Sequence, residues 1–157
     1  MNPKTGGEGG ECRIVSVESR HTAVVKVMAP FAKLPEMQRA ARVKIAAALA
    51  SADAGQNGPG CTLWRPPVDG KLDTEPGVVV SRPFVPMGEV VPSLLPAGRT
   101  AHFLLIGPFD GLQGAWGTLL GWCREKELEL AGVNWELYGE HQTDPSRQET
   151  SLHALLL

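Results

Sequence analysis

Twice along this chain a Val- or Leu-rich stretch leads toward one amphipathic helix, and each helix is followed by two more strand-like stretches. "CRIVSVESRHTAVVKVMA" (Cys12–Ala29) alternates and reads as one long strand with a break near Ser19–Thr22. "LPEMQRAARVKIAAALASADAG" (Leu34–Gly55) reads as a helix, with Pro35 and Glu36 suited to its first turn and Gly55 to its stop. Met37, Ala41, Ile45, Ala48, Leu49 and Ala52 form its apolar stripe, with Arg39, Arg42 and Lys44 mostly off it. "GQNGPG" is a turn cluster, "CTLWR" a short strand and "PPVDGKLDTEPG" a loop. "VVVSRPFVP" is the next strand, placed at an edge or bulge by Pro83, and "PSLLPAG" is another loop.

The second half repeats the order. "RTAHFLLIG" is a strand, and "PFDG" turns into a helix of roughly Leu112–Glu127. Its stripe is Leu112, Ala115, Trp116, Leu119, Leu120 and Cys123, while Gly114, Gly117 and Gly121 fall on another face. An interior helix glycine costs about 1 kcal/mol relative to alanine, so that face is either tolerated in solvent or closely packed against a neighbour. "NWELYGE" (Asn134–Glu140) is a strand, "HQTDPSR" a hairpin loop and "QETSLHALLL" a final strand. "GCTLWR" after the first helix rhymes with "GVNWELYGE" after the second, setting Leu63-Trp64 against Leu137-Tyr138 and Thr62 against Glu136. The expected fold is α+β: a tandem strand–helix–strand–strand repeat, with an antiparallel sheet, two helices on one face and a ligand groove on the other.

Composition limits the alternatives. The chain has 157 residues, 43% hydrophobic and 20% charged, which suits one ordinary globular domain. A net charge of -2 with no basic run argues against a nucleic-acid surface. No stretch approaches ~20 apolar residues, so no membrane partner is expected. "MNPKTGGEGGE" (1–11) lacks an apolar signal core and is expected to be a disordered tail, leaving 12–157 as the domain of a cytoplasmic protein. Cys12, Cys61 and Cys123 are scattered, as are His21, His102, His141 and His153, so neither a metal nor another cofactor is expected.

The strand Asn134–Glu140 carries the candidate chemistry. Alternation puts Trp135 and Leu137 on one face and Glu136 with Tyr138 on the other. The apolar pair is expected beneath the helices, which sends Glu136 and Tyr138 to the uncovered face, with Thr62 and Trp64 joining them if the halves are related. Trp64 least fits a plain solvent face, because exposed apolar area usually marks a binding site. In the strand Arg99–Gly107, Phe103 is preferred to His102 as the groove-facing residue.

The run from Leu95 to Tyr138 resembles the GyrI-like small-molecule-binding domain, the effector-binding domain of AraC-type and MerR-type multidrug-responsive regulators. The matching pieces are Pro96-Ala97-Gly98, Gly107-Pro108-Phe109, Trp116, Trp122, the Trp-Glu-x-Tyr run Trp135–Tyr138 and Thr150. The first half matches through its helix and "GPGCTLWR", with Trp64 where the family usually has Tyr. The resemblance implies a groove that binds small hydrophobic or cationic aromatic compounds around Glu136. Trp64, Phe103, Trp116, Glu136 and Tyr138 are its ligand-binding candidates. Family regulators add a helix-turn-helix; with a first strand near residue 12 this chain is expected to be a stand-alone form that does not bind nucleic acid directly. A protein partner and a homodimer stay open. The alternative is a hydrolase opening cyclopropane-bearing DNA-alkylating natural products, with Glu136 activating water and Tyr138 stabilising the developing charge.

Overall fold

The computed structural model describes residues 10–157, so the expected tail lies outside the described residues except for Gly10 and Glu11. The fold is α+β, with nine strands and two helices among the described residues. The chain divides into two units by its contacts. One, here the middle unit, is Glu18–Ala97; the other, the terminal unit, combines the segment up to Val17 with Gly98–Leu157.

The middle unit contains β2 (Arg20–Val25), β3 (Val27–Ala29), α1 (Leu34–Leu49), β4 (Asn57–Val68), β5 (Lys71–Val80) and β6 (Val90–Leu95). Its strands run in the order β4-β5-β2-β6, with β3 continuing along β5. The terminal unit contains β1 (Arg13–Val17), β7 (Gly98–Ile106), α2 (Leu112–Glu125), β8 (Leu130–Tyr138) and β9 (Glu149–Leu156), in the order β1-β7-β9-β8. The ladders within both units are antiparallel. Each unit is therefore a strand, a helix and a hairpin, with one further edge strand, and the middle unit adds the short β3. The repeat read from the sequence is present as two copies of one topology.

Each helix buries its stripe on one face of its own sheet. Ala41, Ile45 and Ala48 of α1 pack with Ala23, Val25, Val80 and Val90. Ala115, Leu119 and Cys123 of α2 pack with Phe103, Leu105, Leu152 and Ala154. Removing such apolar area from water, at about 25 cal/mol per Å², is the main force seating both helices.

Several stretches differ from the sequence reading. Cys12–Ala29 is three strands, not one, because β1 pairs with β7 in the terminal unit while β2 pairs with β5 and β6. The expected loop after Arg65 is a long hairpin instead. Asp69 (φ 53°) and Gly70 (φ 75°) both adopt left-handed backbone, the geometry that an Asp-Gly pair favours in a two-residue β-turn. Pro76 is accommodated because it falls between the stretches of β5 that pair with β2 and with β3. "PSLLPAG" is mostly β6, an edge strand that can carry Pro92. α1 stops at Leu49, before Gly55: the buried Ala54 carbonyl instead accepts the Ser81 and Arg82 N–H groups, tying the connection back to the sheet.

Glycines occupy opposite situations in the two units. A Cβ at Gly77 would lie 2.3 Å from the Ala23 carbonyl oxygen, where β2 and β5 meet. A Cβ at Gly114 or Gly117 would meet nothing within 4 Å, so this face of α2 is open in the single chain. Gly117→Ala should therefore raise stability by about 0.5–1 kcal/mol, and Gly77→Ala should lower it by roughly 1–3 kcal/mol. Urea unfolding of the two variants reads both signs in one experiment.

Candidate functional site

The pairing of β8 with β9 decides what each residue of "NWELYGE" faces. Directly opposed residues in an antiparallel ladder share a face. Glu136 pairs with Leu152 and Asn134 with Ala154, and both partners belong to the core beneath α2. Tyr138 pairs with Thr150, which pairs in turn with the core residue Leu105. Asn134, Glu136 and Tyr138 thus lie on the α2 side. Trp135, opposite His153, lies on the other face, and with it Leu137, opposite Ser151. This reverses the expected placement. Alternation correctly separated the two sets, but the aromatic Trp135 was a poor guide to which face the helix covers.

Glu136 is nearly buried, at 5% exposure. Its Oε2 accepts the indole N–H of Trp116 from α2 at 2.7 Å, and its Oε1 accepts the hydroxyl of Tyr138 at 2.7 Å. The indole and phenol donors orient the carboxylate and help offset its desolvation. Phe109 stands edge-on to Tyr138, with ring centroids 5.8 Å apart and planes at 89°. It begins the single 3-10 turn Phe109–Gly111 that leads into α2, and it is 52% exposed. A carboxylate is thereby enclosed by an indole and a phenol, with an exposed phenyl ring against the phenol.

The matching family model, described as the GyrI-like small molecule binding domain, covers residues 10–152. The chain belongs to this family. None of the curated proteins matches it in sequence. Solved structures share its fold at low identity. A crystal structure of the EcmrR C-terminal domain is 14% identical, covering 94% of this chain and 97% of its own, with a TM-score of 0.78. SAV2435 bound to tetraphenylphosphonium is also 14% identical, covering 94% of each chain, with a TM-score of 0.68. A hydrolase encoded by lin2189 from Listeria innocua is 12% identical over 94% of this chain and 92% of its own, with a TM-score of 0.59.

In this GyrI-like domain the terminal unit brings together three of the expected residues: Trp116, Glu136 and Tyr138. Phe103 is instead a core residue beneath α2, only 2% exposed, because its strand turns Ala101, Phe103 and Leu105 together toward the helix. Trp64 belongs to the middle unit, where it packs half-buried against the core under α1 rather than on an uncovered face. Phe109 joins Trp116, Glu136 and Tyr138 in the structure, although the sequence marks only its Gly107-Pro108-Phe109 turn. Its signal was an aromatic at a helix start, where a side chain projects from the end of a sheet.

The middle unit carries different polar chemistry. Arg42 reaches from α1 to donate to Thr62 Oγ1 at 3.0 Å and to the carbonyls of Cys61 and Gly77 at 3.2 and 3.1 Å. Thr62, the residue that the sequence repeat sets against Glu136, therefore meets a cation from its helix. Glu75, 2% exposed, accepts from Arg65 at 2.6 Å and from Ser93 at 2.7 Å, a charge-compensated arrangement suited to a structural role. Two open depressions, of about 320 and 550 Å³, lie in this unit. One is lined by residues such as Arg20, His21 and Asn57, the other by Phe84, Val85 and Met87, and neither contains an expected site residue. Their lining supplies no convergent set of reactive groups, so the chemistry of the Glu136 cluster outweighs their volume. Among the described residues there is no group of three or more His, Cys, Asp or Glu that could hold a metal ion. None of their helices is long and apolar enough to cross a membrane.

On the face of the terminal sheet away from α2, a row crosses four strands: Arg13, His102, His153 and Trp135. The His102 and His153 rings are 4.8 Å apart, and His153 stacks on Trp135 at 5.4 Å and hydrogen-bonds Thr100 Oγ1 at 2.9 Å. Burial, reinforced by the Arg13 charge, pushes the His102 pKa below its ordinary 6.5. The fold therefore favours neutral imidazole, and the unfolded chain binds the proton more readily. That stability is present above 6.5 and is lost as pH falls through the folded-state value. The urea midpoint should drop between about pH 7 and 5, and His102→Gln should flatten part of that slope.

Proposed function

We propose that this GyrI-like domain binds aromatic or otherwise hydrophobic cations, with Glu136 as the charge that recognises them. The observation that carries this reading is the nearly buried carboxylate held at both oxygens by aromatic donors. A buried anion is costly in a low-dielectric setting, and a cation brought to it gains more than it would in water. Aromatic faces add stacking area and attract positive charge. Family membership supports the reading, and so does tetraphenylphosphonium in the SAV2435 structure, which is a lipophilic cation of this kind. Trp116, Tyr138 and Phe109 supply the aromatic wall, with Trp116 and Tyr138 exchanging their hydrogen bonds for contact with the ligand.

Calorimetric titration with tetraphenylphosphonium and with rhodamine 6G tests the proposal. Saturable binding is expected, and Glu136→Gln, nearly isosteric, should weaken it by about tenfold or more, or ~1.4 kcal/mol. Phe109→Ala should weaken the same ligands less, because it removes ring contact and leaves the charge. Failure of the intact protein to bind either cation would rule the proposal out.

A second reading is hydrolysis of cyclopropane-bearing DNA-alkylating compounds. It is favoured by the hydrolase from Listeria innocua among the fold neighbours and by the 2.7 Å contact that couples a phenol to a carboxylate. Glu136 would take a proton from water while Tyr138 donates toward the oxygen on which charge develops. Chromatography of such a substrate after incubation separates the readings: ring-opened product above the uncatalysed rate, lost in Glu136→Gln, establishes turnover.

A further inference from the structure

Among the described residues, the exposed phenyl, indole or phenol rings are those of Phe31 and Phe109, at 77% and 52% exposure. They hold the same place in their units. Each follows an extended proline, Pro30 or Pro108, and begins a 3-10 turn. The third residue of that turn donates its N–H to the proline carbonyl, Lys33 at 2.9 Å and Gly111 at 3.0 Å. The helix then starts at Leu34 or Leu112.

The sheet beneath repeats as well. Trp64 pairs with Thr74, which pairs with Val27; Tyr138 pairs with Thr150, which pairs with Leu105. Phe31 comes four residues after Val27, and Phe109 four after Leu105. In topology, Phe31 therefore stands to Trp64 as Phe109 stands to Tyr138. Thr62 precedes Trp64 by two residues and Glu136 precedes Tyr138 by two, so each pair shares a face at a spacing of about 7 Å.

The charges are reversed between the units. Where the terminal unit has Glu136, the middle unit has Thr62, whose Oγ1 accepts from the Arg42 guanidinium at 3.0 Å. The stretch Phe31–Arg42 carries Lys33, Arg39 and Arg42 against Glu36, a net charge of +2. The equivalent stretch Phe109–Leu120 carries Asp110 alone, a net charge of -1. Lys33 is exposed and forms no salt bridge among the described residues.

We propose that the middle unit holds a second ligand site, the counterpart of the Glu136 site with its charge preference inverted, and that it takes flat aromatic anions such as aryl carboxylates. The ligand ring lies against exposed Phe31 and half-buried Trp64, since exposed aromatic area marks a binding surface. Lys33, two residues after Phe31, supplies an ammonium donor to the anionic group. Arg42 keeps its bonds to the sheet and acts through its charge. The two halves of the repeat then divide amphipathic aromatic compounds by sign. This site uses none of the residues of the cation-binding reading and stands independently of it.

The test uses two probes of one shape, 2-naphthoate and the uncharged 2-naphthamide, titrated by calorimetry at neutral pH. The intact protein should bind 2-naphthoate saturably and about tenfold more tightly than the amide. Phe31→Ala should weaken 2-naphthoate by about threefold to tenfold, because it removes ring contact. Lys33→Glu should bring the ratio of the two affinities toward one. Both side chains are exposed, so both variants should melt with the intact protein, and a loss of binding at unchanged Tm marks contact with the ligand. Failure of 2-naphthoate to bind, equal affinities for the two probes, or binding untouched in both variants overturns the inference. So does weakening by Phe109→Ala in place of Phe31→Ala, which would put the anion in the terminal unit. The titration with tetraphenylphosphonium reads the Glu136 site separately, so either site can fail while the other stands.

Discussion

The register of β8 on β9 is the constraint on which the site depends. Opposing Glu136 to Leu152, not to a residue of the other face, turns a carboxylate inward beneath a helix. A one-residue slip would move every side chain of that strand to the opposite face. It would turn Glu136 to the face of Trp135 and His153, bring Leu137 under α2 and break the contact from Trp116. The hairpin is held in place by the ladder itself and by Gly139 and Gln148, which bond across its loop end. The polar chemistry thus rests on backbone pairing and apolar packing laid down around it.

Two units of one topology show how little of a site follows from a scaffold. Both have a helix seated on three sequential strands and an additional edge strand. In the middle unit the helix contributes Arg42 to Thr62; in the terminal unit it contributes Trp116 to Glu136. Buried Glu75 accepts from Arg65 and Ser93, and buried Glu136 accepts from Trp116 and Tyr138. Function must be argued from those side chains, and the shared topology only positions them.

Much of the fold was legible because it depends on local pattern. The two helical stripes, the strands at Arg99–Gly107 and Asn134–Glu140, and the final strand all carried periodic signals that the structure realises. The Asp69-Gly70 hairpin was missed because Pro66, Pro67 and Pro76 around it suggested a loop, and their tolerance depends on how neighbouring strands begin and end. Arg42 looked like an off-stripe surface charge, yet its long side chain folds back to three acceptors on the sheet. Nothing in a helical wheel shows that reach. Phe103 and Trp64 stand out in the sequence as aromatic, and both pack with the cores.

The sequence by itself determined that Glu136 and Tyr138 share a face, since a strand alternates with period two whatever surrounds it. It determined the repeat for the same reason: element order is written along the chain. Which face that pair occupies was decided only by the tertiary structure. Alternation carries relative phase but no absolute one, and the absolute phase comes from the pairing of β8 with β9 and from the side on which α2 docks. Those are contacts between residues distant in sequence. Through them the indole of Trp116, 20 positions before Glu136, becomes its hydrogen-bond partner.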